Sequence, residues 1–130
     1  MITTIIDTGA PFSDNMQWED GTLTVAGAMT VKRATILARD SVSGNLVPFV
    51  KGGTTNENGI PKKILGHEVV FAGAGSAAVR VASSGRCIHH RLVIHADGDA
   101  TNITSVVRDQ LQDYNIGVDL VTERSVLDNM

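Results

Sequence analysis

Short apolar runs separated by turn-forming residues are the feature of this sequence that most restricts its fold. Between residues 22 and 96, apolar side chains alternate with polar ones over a few positions before Gly, Asn, Ser or Pro interrupts the run. A period of two places the apolar groups on one face of a strand, whereas a helix needs a period near 3.6. This part of the chain is therefore predicted to form mostly short antiparallel strands.

The predicted strands and turns can be assigned along the chain. The strands cover residues 23–25, 31–39, 46–50, 64–71, 77–82 and 87–96, and the turns include 40–45, 72–76 and 83–86. The turn at 40–45 predicts a hairpin, and Pro48, which has no N–H to donate, predicts that its strand is an edge strand or starts near there. Residues 51–62 are rich in glycine and poor in apolar groups, which predicts a flexible surface loop.

One segment late in the chain has helical spacing. The apolar or aromatic residues that share its face are Ile103, Val106, Val107, Leu111 and Tyr114. They predict an α-helix over about residues 102–114. Asp99 or Thr101 is the expected N-cap, and Gly117 stands where a helix-ending glycine is expected. The chain is thus predicted to be mainly β with one helix in its C-terminal half.

The first 21 residues differ from the rest because turn formers and polar residues dominate them. The large apolar groups among them include Ile5, Ile6, Phe12, Met16 and Trp18. A plain spacer rarely carries so many, so we predict that residues 1–21 are an extended arm that orders on a partner, and that residues 22–130 are a single β-rich domain. The alternatives are a disordered tail and, for Trp18, packing against its own domain.

Length and charge limit the classes of partner. The chain has 130 residues, a mass of 13.8 kDa and a formal net charge of −3. It has neither a basic arm nor a block of like charge, which predicts no direct contact with nucleic acid and no membrane partner. No apolar run approaches the ~20 residues of a membrane span, and the N-terminus does not resemble a signal peptide. The lone Cys87 fits a reducing cytoplasm.

Candidate chemistry is weak throughout the chain. His89, His90 and His95 are close in sequence, but on a strand His89 and His95 would lie roughly 20 Å apart and His90 would point the other way. Cys87 with His89 or His90 could form a small hydrolase site, although a buried structural cysteine is the favoured interpretation. No catalytic residue, cofactor site or metal site is predicted.

Two further patterns lack the context of the motifs that they suggest. The segment 73–76 has the start of a dinucleotide-binding pattern, but Ala78 replaces its third glycine and a predicted strand follows it. Residues 97–99 begin like a calcium loop but lack its later acidic positions. Both are predicted to be turns.

The order of short motifs along the chain resembles a known family. Residues 31–39 are similar to the motif K-R-G-T-V-L-G-R, with Ala34 in the place of the usual glycine. Residues 43–48 are similar to T-G-K-L-V-P, residues 61–69 to P-V-G-V-L-A-E-D-V, and residues 107–118 to R-D-A-L-R-x-x-G-I. These motifs are those of the lambda-type bacteriophage head-decoration (capsid cement) proteins. The likeness covers about residues 22–120, and the His-rich stretch 87–95 departs from it.

This resemblance implies a small barrel of short strands, of the β-clip or β-tulip type, and a non-enzymatic virion protein. It implies homotrimers on the capsid exterior, at three-fold and quasi-three-fold positions of the expanded shell. The partner would be the major capsid protein, and the decoration would stabilise the shell against the pressure of packaged DNA. The protein would be made in the host cytoplasm.

The arm fits this role on physical grounds. An extended segment can add a strand to a sheet edge through backbone hydrogen bonds, and repeated copies on a symmetric shell gain avidity. Trp18 and Phe12 are the expected anchors, since buried aromatics dominate interface energetics. The alternatives are another small β-rich virion component, such as a tail-tube or head-completion protein, the Cys/His hydrolase, and a host adaptor with an unrelated barrel.

Overall fold

A computed structural model of the chain describes Phe12 and residues 16–120. The elements in these residues are β1 (Gln17–Val25), β2 (Met29–Val31), β3 (Ile36–Arg39), β4 (Leu46–Pro48), β5 (Lys63–Leu65), β6 (Val69–Phe71), β7 (Gly75–Ile88), a short 3-10 helix (His89–Arg91), α1 (Ser105–Asp113) and β8 (Ile116–Asp119). The predicted fold class, mainly β with one α-helix in the second half, is confirmed.

Five of the strands close into a small barrel. Their order is β1-β4-β3-β5-β7, and β7 pairs with β1 to complete the ring. β8 extends the sheet by pairing in parallel with the last residues of β7, while β2 and β6 form a separate two-stranded ribbon. Most pairings are antiparallel as predicted, but β1–β4 and β7–β8 are parallel.

The longest strand, β7, connects most parts of the sheet. It pairs with β1 along its first ten residues, with β5 through Ala82 and Val81, and with β8 from Gly85 to Ile88. The predicted turn at 83–86 is therefore wrong. Gly85 has φ 130°, a conformation that side-chain-bearing residues rarely adopt, so the strand passes from one partner to the other without a break.

Two apolar cores lie on opposite faces of the sheet. The inner core fills the barrel and consists of Leu23, Val25, Val31, Leu37, Leu46, Leu65, Phe71, Val79 and Val81. The outer core lies between the sheet and α1 and consists of Ala34, Ile36, Phe49, Ile64, Ala82, Cys87, Leu92, Ile94, Ile103, Val107, Leu111 and Ile116. Successive strand residues point to opposite faces, so β3 and β5 supply both cores.

Two of the predicted strands are each divided in two. The run 31–39 becomes β2 and β3, and the run 64–71 becomes β5 and β6. At the first division Ala34 takes the left-handed conformation with φ 70°, which redirects the chain while its N–H donates to the carbonyl of Leu65 (2.9 Å). The apolar runs belong in part to the barrel and in part to the ribbon, which a single alternating pattern does not reveal.

The predicted strand at 87–96 is also wrong for most of its length. β7 ends at Ile88, and the 3-10 turn follows at once. Leu92, Val93 and Ile94 are all buried, and the segment pairs with other parts of the chain through isolated bridges from Val93 to Thr35 and from Ile94 to Asp99. The turn rotates the chain across the outer core, so the facing expected for His89 and His90 does not apply.

The helix lies where it is predicted, but its capping residues differ. Thr104 is the N-cap, and its Oγ1 accepts from the N–H of Val107 (3.4 Å). Asp99 instead accepts from the N–H of Thr101 (2.9 Å) in the turn before the helix. Asn115, with φ 69°, reverses the chain after the helix. Gly117, the expected terminator, lies in β8.

The segment predicted as a flexible loop contains a hydrogen-bonded turn. Asn56 and Glu57 both have positive φ, and the N–H of Asn58 donates to the carbonyl of Thr55 (3.0 Å), which is the pattern of a type I′ turn. The N–H of Ser41 donates to Asn56 (3.0 Å) and ties this turn to the β3–β4 hairpin.

Pro48 is not in an edge strand, because β4 lies between β1 and β3. Its position as the last residue of β4 nevertheless limits the cost of its missing N–H, and β1 pairs with β4 only at Leu46.

The helix found in the described residues is too short and too polar to cross a membrane.

Candidate functional site

The aromatic residues singled out in the arm lie together at the start of β1. Phe12, Met16 and Trp18 are described residues, whereas Ile5 and Ile6 lie outside the described residues. The predicted boundary at residue 21 falls inside a strand, because residues 17–21 pair with β7 from Ser84 to Val79. Residues 17–21 therefore belong to the barrel sheet and not to an arm.

Trp18 is held between two neighbours from its own chain. Its ring meets that of Phe12 edge to face, with the centroids 5.0 Å apart and the planes at 89°. On another side it lies over Gly66, where an added Cβ would be 2.8 Å from Cζ3 of the indole. The side chain remains 37% exposed. Trp18 thus contacts its own domain, as one of the two interpretations of the sequence proposed.

Phe12 and Met16 cover one edge of the outer core. Phe12 forms an isolated antiparallel bridge with Cys87, beyond the point where the β1–β7 register shifts between Gln17 and Trp18. Both side chains are half-buried and pack against the outer core. The structure shows their contacts within the chain, and a contact with a capsid stays a prediction for all five arm residues.

The charges near this region are modest. Lys63 on β5 pairs with Glu19 on β1 at 2.6 Å, and its side chain is only 18% exposed, so this ion pair joins the two strands that flank β7. Arg80 and Asp20 are 3.9 Å apart and both well exposed, so water screens them. The surface at the start of β1 therefore combines a half-exposed aromatic pair with a few paired charges.

Cys87 has the surroundings of a structural cysteine. It is fully buried in the outer core, and burial, the largest cause, together with Asp119 raises the pKa of its thiol to about 12. The thiolate is the reactive form of cysteine, and it is scarcely populated at neutral pH when the pKa is so high. This environment disfavours Cys87 as a nucleophile.

The histidines make separate contacts. His89 Nδ1 lies 3.1 Å from Nη1 of Arg108, and because a guanidinium can only donate, the imidazole accepts. Burial first, and then the charges of Arg108 and His90, lower the pKa of His89. His67 Nε2 accepts from the backbone N–H of Arg80 (3.2 Å). Across Phe12 and residues 16–120 no three His, Cys, Asp or Glu side chains converge as metal ligands.

Three features near the candidate site were missed by the sequence interpretation. They are the close approach of Gly66 to Trp18, the His89–Arg108 contact, and the ion pair of Arg86 with Asp119 that joins β7 to β8. Each one joins residues that are distant in sequence and carries no local motif. The tertiary arrangement of the strands and helices, which the local sequence does not encode, brings these residues together.

Comparison of the chain with models of protein families and with curated protein sequences gives no match.

Proposed function

We propose that this protein is a bacteriophage head-decoration protein. Trimers of it would bind the outer surface of the expanded capsid at three-fold and quasi-three-fold positions, contact the major capsid protein and stabilise the shell against DNA pressure. The N-terminal segment before the barrel would supply an attachment arm. No catalytic group takes part in this role.

The conformation of Ala34 is the observation that carries the proposal. The motif that residues 31–39 resemble has glycine at this position, and Ala34 has φ 70°, where glycine is the ordinary residue. The backbone at Ala34 thus has the conformation that the motif's glycine would favour, although the side chain is different. This agreement supports a shared backbone path and does not depend on composition.

Two other observations support the proposal. The resembling motifs fall on β3, β4, β5 and α1, which are parts of one barrel and the layer that covers it. In addition, the high pKa of Cys87 and the separate contacts of the histidines disfavour the competing hydrolase.

Binding to capsids is the direct test. Expanded capsids that lack the protein would be mixed with the purified full chain and sedimented, and bound protein would be counted against the major capsid protein. We expect saturation at one trimer for each three-fold and quasi-three-fold position. Saturation at a single ring of copies would instead indicate a head-completion protein, and no co-sedimentation would refute the proposal.

The arm can be tested in the same assay without shortening the chain. Deletion of residues 1–20 would remove part of β1, so the double substitution of Ile5→Ser and Ile6→Ser is the cleaner change. We expect it to weaken binding, while Val42→Ala, at a 79% exposed turn position, serves as the apolar control. If all three proteins bind equally, the proposed decoration function stands and the proposed role of the arm in binding is rejected.

A further inference from the structure

Most of the surface of Trp18 is used within the chain. Phe12 occupies one side of the indole and the α-carbon of Gly66 another, so that just over a third of the residue remains exposed. An aromatic anchor for a partner needs a face that it can bury in a foreign pocket. The exposed third of Trp18 is available as it stands, but the rest of the ring becomes available only if Trp18 leaves Phe12 or Gly66.

The contact with Gly66 depends on the absence of a side chain there. A Cβ at residue 66 would lie 2.8 Å from the indole and also 2.8 Å from the carbonyl oxygen of Arg80. Position 66 falls in the stretch that resembles P-V-G-V-L-A-E-D-V, where the motif has alanine. The chain thus combines a departure from the motif with a tryptophan that fills the space.

Phe12 is likewise fixed to the barrel. Its backbone bridges to Cys87 on β7 and its half-buried ring covers the edge of the outer core. If Phe12 moved to a partner, the chain would lose the edge-to-face contact with Trp18 and would expose part of that core. The two aromatics therefore stabilise each other in place.

We infer that Phe12, Trp18 and Gly66 form a clasp that fixes where the N-terminal arm leaves the barrel, so that Phe12 and Trp18 position the arm instead of anchoring it to the capsid. This inference rests on the proposed function. Holding Phe12 in place before the capsid is met lowers the entropic cost of binding, which favours attachment without any direct contact from the clasp. The binding groups then precede Phe12 in the sequence and include Ile5 and Ile6.

The clasp can be measured in the free protein because Trp18 is the only tryptophan. Phe12→Ala should shift the Trp18 emission to longer wavelength and make it more accessible to a soluble quencher, whereas Phe12→Tyr should restore the wild-type spectrum. Val42→Ala should leave emission unchanged. An unchanged spectrum in Phe12→Ala would show that the two rings do not pack together, and the clasp would be rejected.

A double-mutant cycle on capsids separates positioning from anchoring. We expect Phe12→Ala to weaken capsid binding about three- to tenfold in the full chain, and Phe12→Tyr to bind as wild type. In the Ile5→Ser, Ile6→Ser background, Phe12→Ala should have a smaller effect than in the wild-type background, since positioning matters less when the positioned apolar groups are removed. Thermal unfolding of each variant would confirm that it is folded at the assay temperature.

The opposite outcomes are distinct. If Phe12→Ala weakens binding equally in both backgrounds, Phe12 is an anchor and the inference is overturned, while decoration stands. The same holds if 5-hydroxytryptophan at position 18, excited selectively beside the capsid protein, becomes buried on binding. If the full wild-type chain does not sediment with capsids, the proposed function fails and the inference fails with it.

Discussion

At the scale of single residues, Ala34 has the clearest balance of opposing effects. Its left-handed backbone costs an L-residue roughly 1–2 kcal/mol relative to glycine, but its methyl group is buried in the outer core. Removing a buried methyl costs about 0.8 kcal/mol, and the greater freedom of glycine in the unfolded chain costs roughly another 0.4–1 kcal/mol. These terms nearly cancel at Ala34.

We therefore predict that Ala34→Gly changes the free energy of unfolding by less than about 1 kcal/mol. Ala38→Gly is the matched control because Ala38 is equally buried, in β3, without a positive φ. That change should destabilise the protein by roughly 1–2 kcal/mol, since no strain is relieved. Urea unfolding monitored by circular dichroism measures both. Equal losses in the two variants would mean that Ala34 is not strained.

At the scale of elements, the contact between the 3-10 helix and α1 depends on a neutral histidine. His89 accepts from Arg108, and protonation would remove the acceptor and place a second positive charge beside the guanidinium, with His90 adjacent in the chain. The folded pKa of His89 is lowered from a value of about 6.5 in the unfolded chain, so the unfolded state binds the proton more readily. The stabilisation is thus present above about pH 6.5 and is lost as the pH falls through 6.5 toward the lower folded pKa.

We predict that His89→Gln reduces the loss of stability on acidification. Gln can accept from Arg108 through its side-chain oxygen but does not titrate in this range. The wild type should lose up to about 1 kcal/mol more than the variant between about pH 7.5 and about pH 5.5, a small effect because His89 is only half-buried. Urea titrations at the two pH values test it. Identical pH dependence in both proteins would show that His89 does not contribute.

The elements that the sequence predicted well are those with local determinants. The helix over Ser105–Asp113 has its own apolar spacing, and the β3–β4 hairpin has a turn sequence between two apolar runs. The errors arose where tertiary contacts determine the secondary structure. The turn expected at 83–86 is strand because β1, β5 and β8 successively pair along β7. The strand expected at 87–96 is interrupted by the 3-10 turn, after which Leu92 and Ile94 enter the outer core and Val93 between them is also buried.

The candidate site shows the same limit. The sequence identified the aromatic residues before the domain as unusual, because large apolar groups are rare among turn formers. It could not assign them to a partner or to the domain, since that depends on the pairing of Trp18 with Ala82 and on the close approach of Trp18 to Gly66, both far away in sequence. A contact between an aromatic ring and a glycine that is distant in sequence leaves no motif in the local sequence.

At the scale of the whole molecule, the two cores share the same strands. Ile36 and Leu37 on β3, and Ile64 and Leu65 on β5, point to opposite faces, so neither core can lose its packing while the other retains its full strand support. The barrel and the α1 layer should therefore unfold as a single cooperative unit. This cooperativity follows from the alternation of side chains and from the position of β7 between β1 and β5.

A substitution confined to the outer core tests this coupling. Leu111 is a fully buried residue of α1, and Leu111→Ala should lower the free energy of unfolding by about 2–5 kcal/mol. Because the cores share strands, we expect strand circular dichroism and Trp18 fluorescence to shift to the same lower urea midpoint in one transition. Val106→Ala, at a 63% exposed residue of the same helix, should change the midpoint little. Separate transitions for the two probes in Leu111→Ala would show that the outer layer unfolds independently of the barrel, and the shared strands would then not couple the cores.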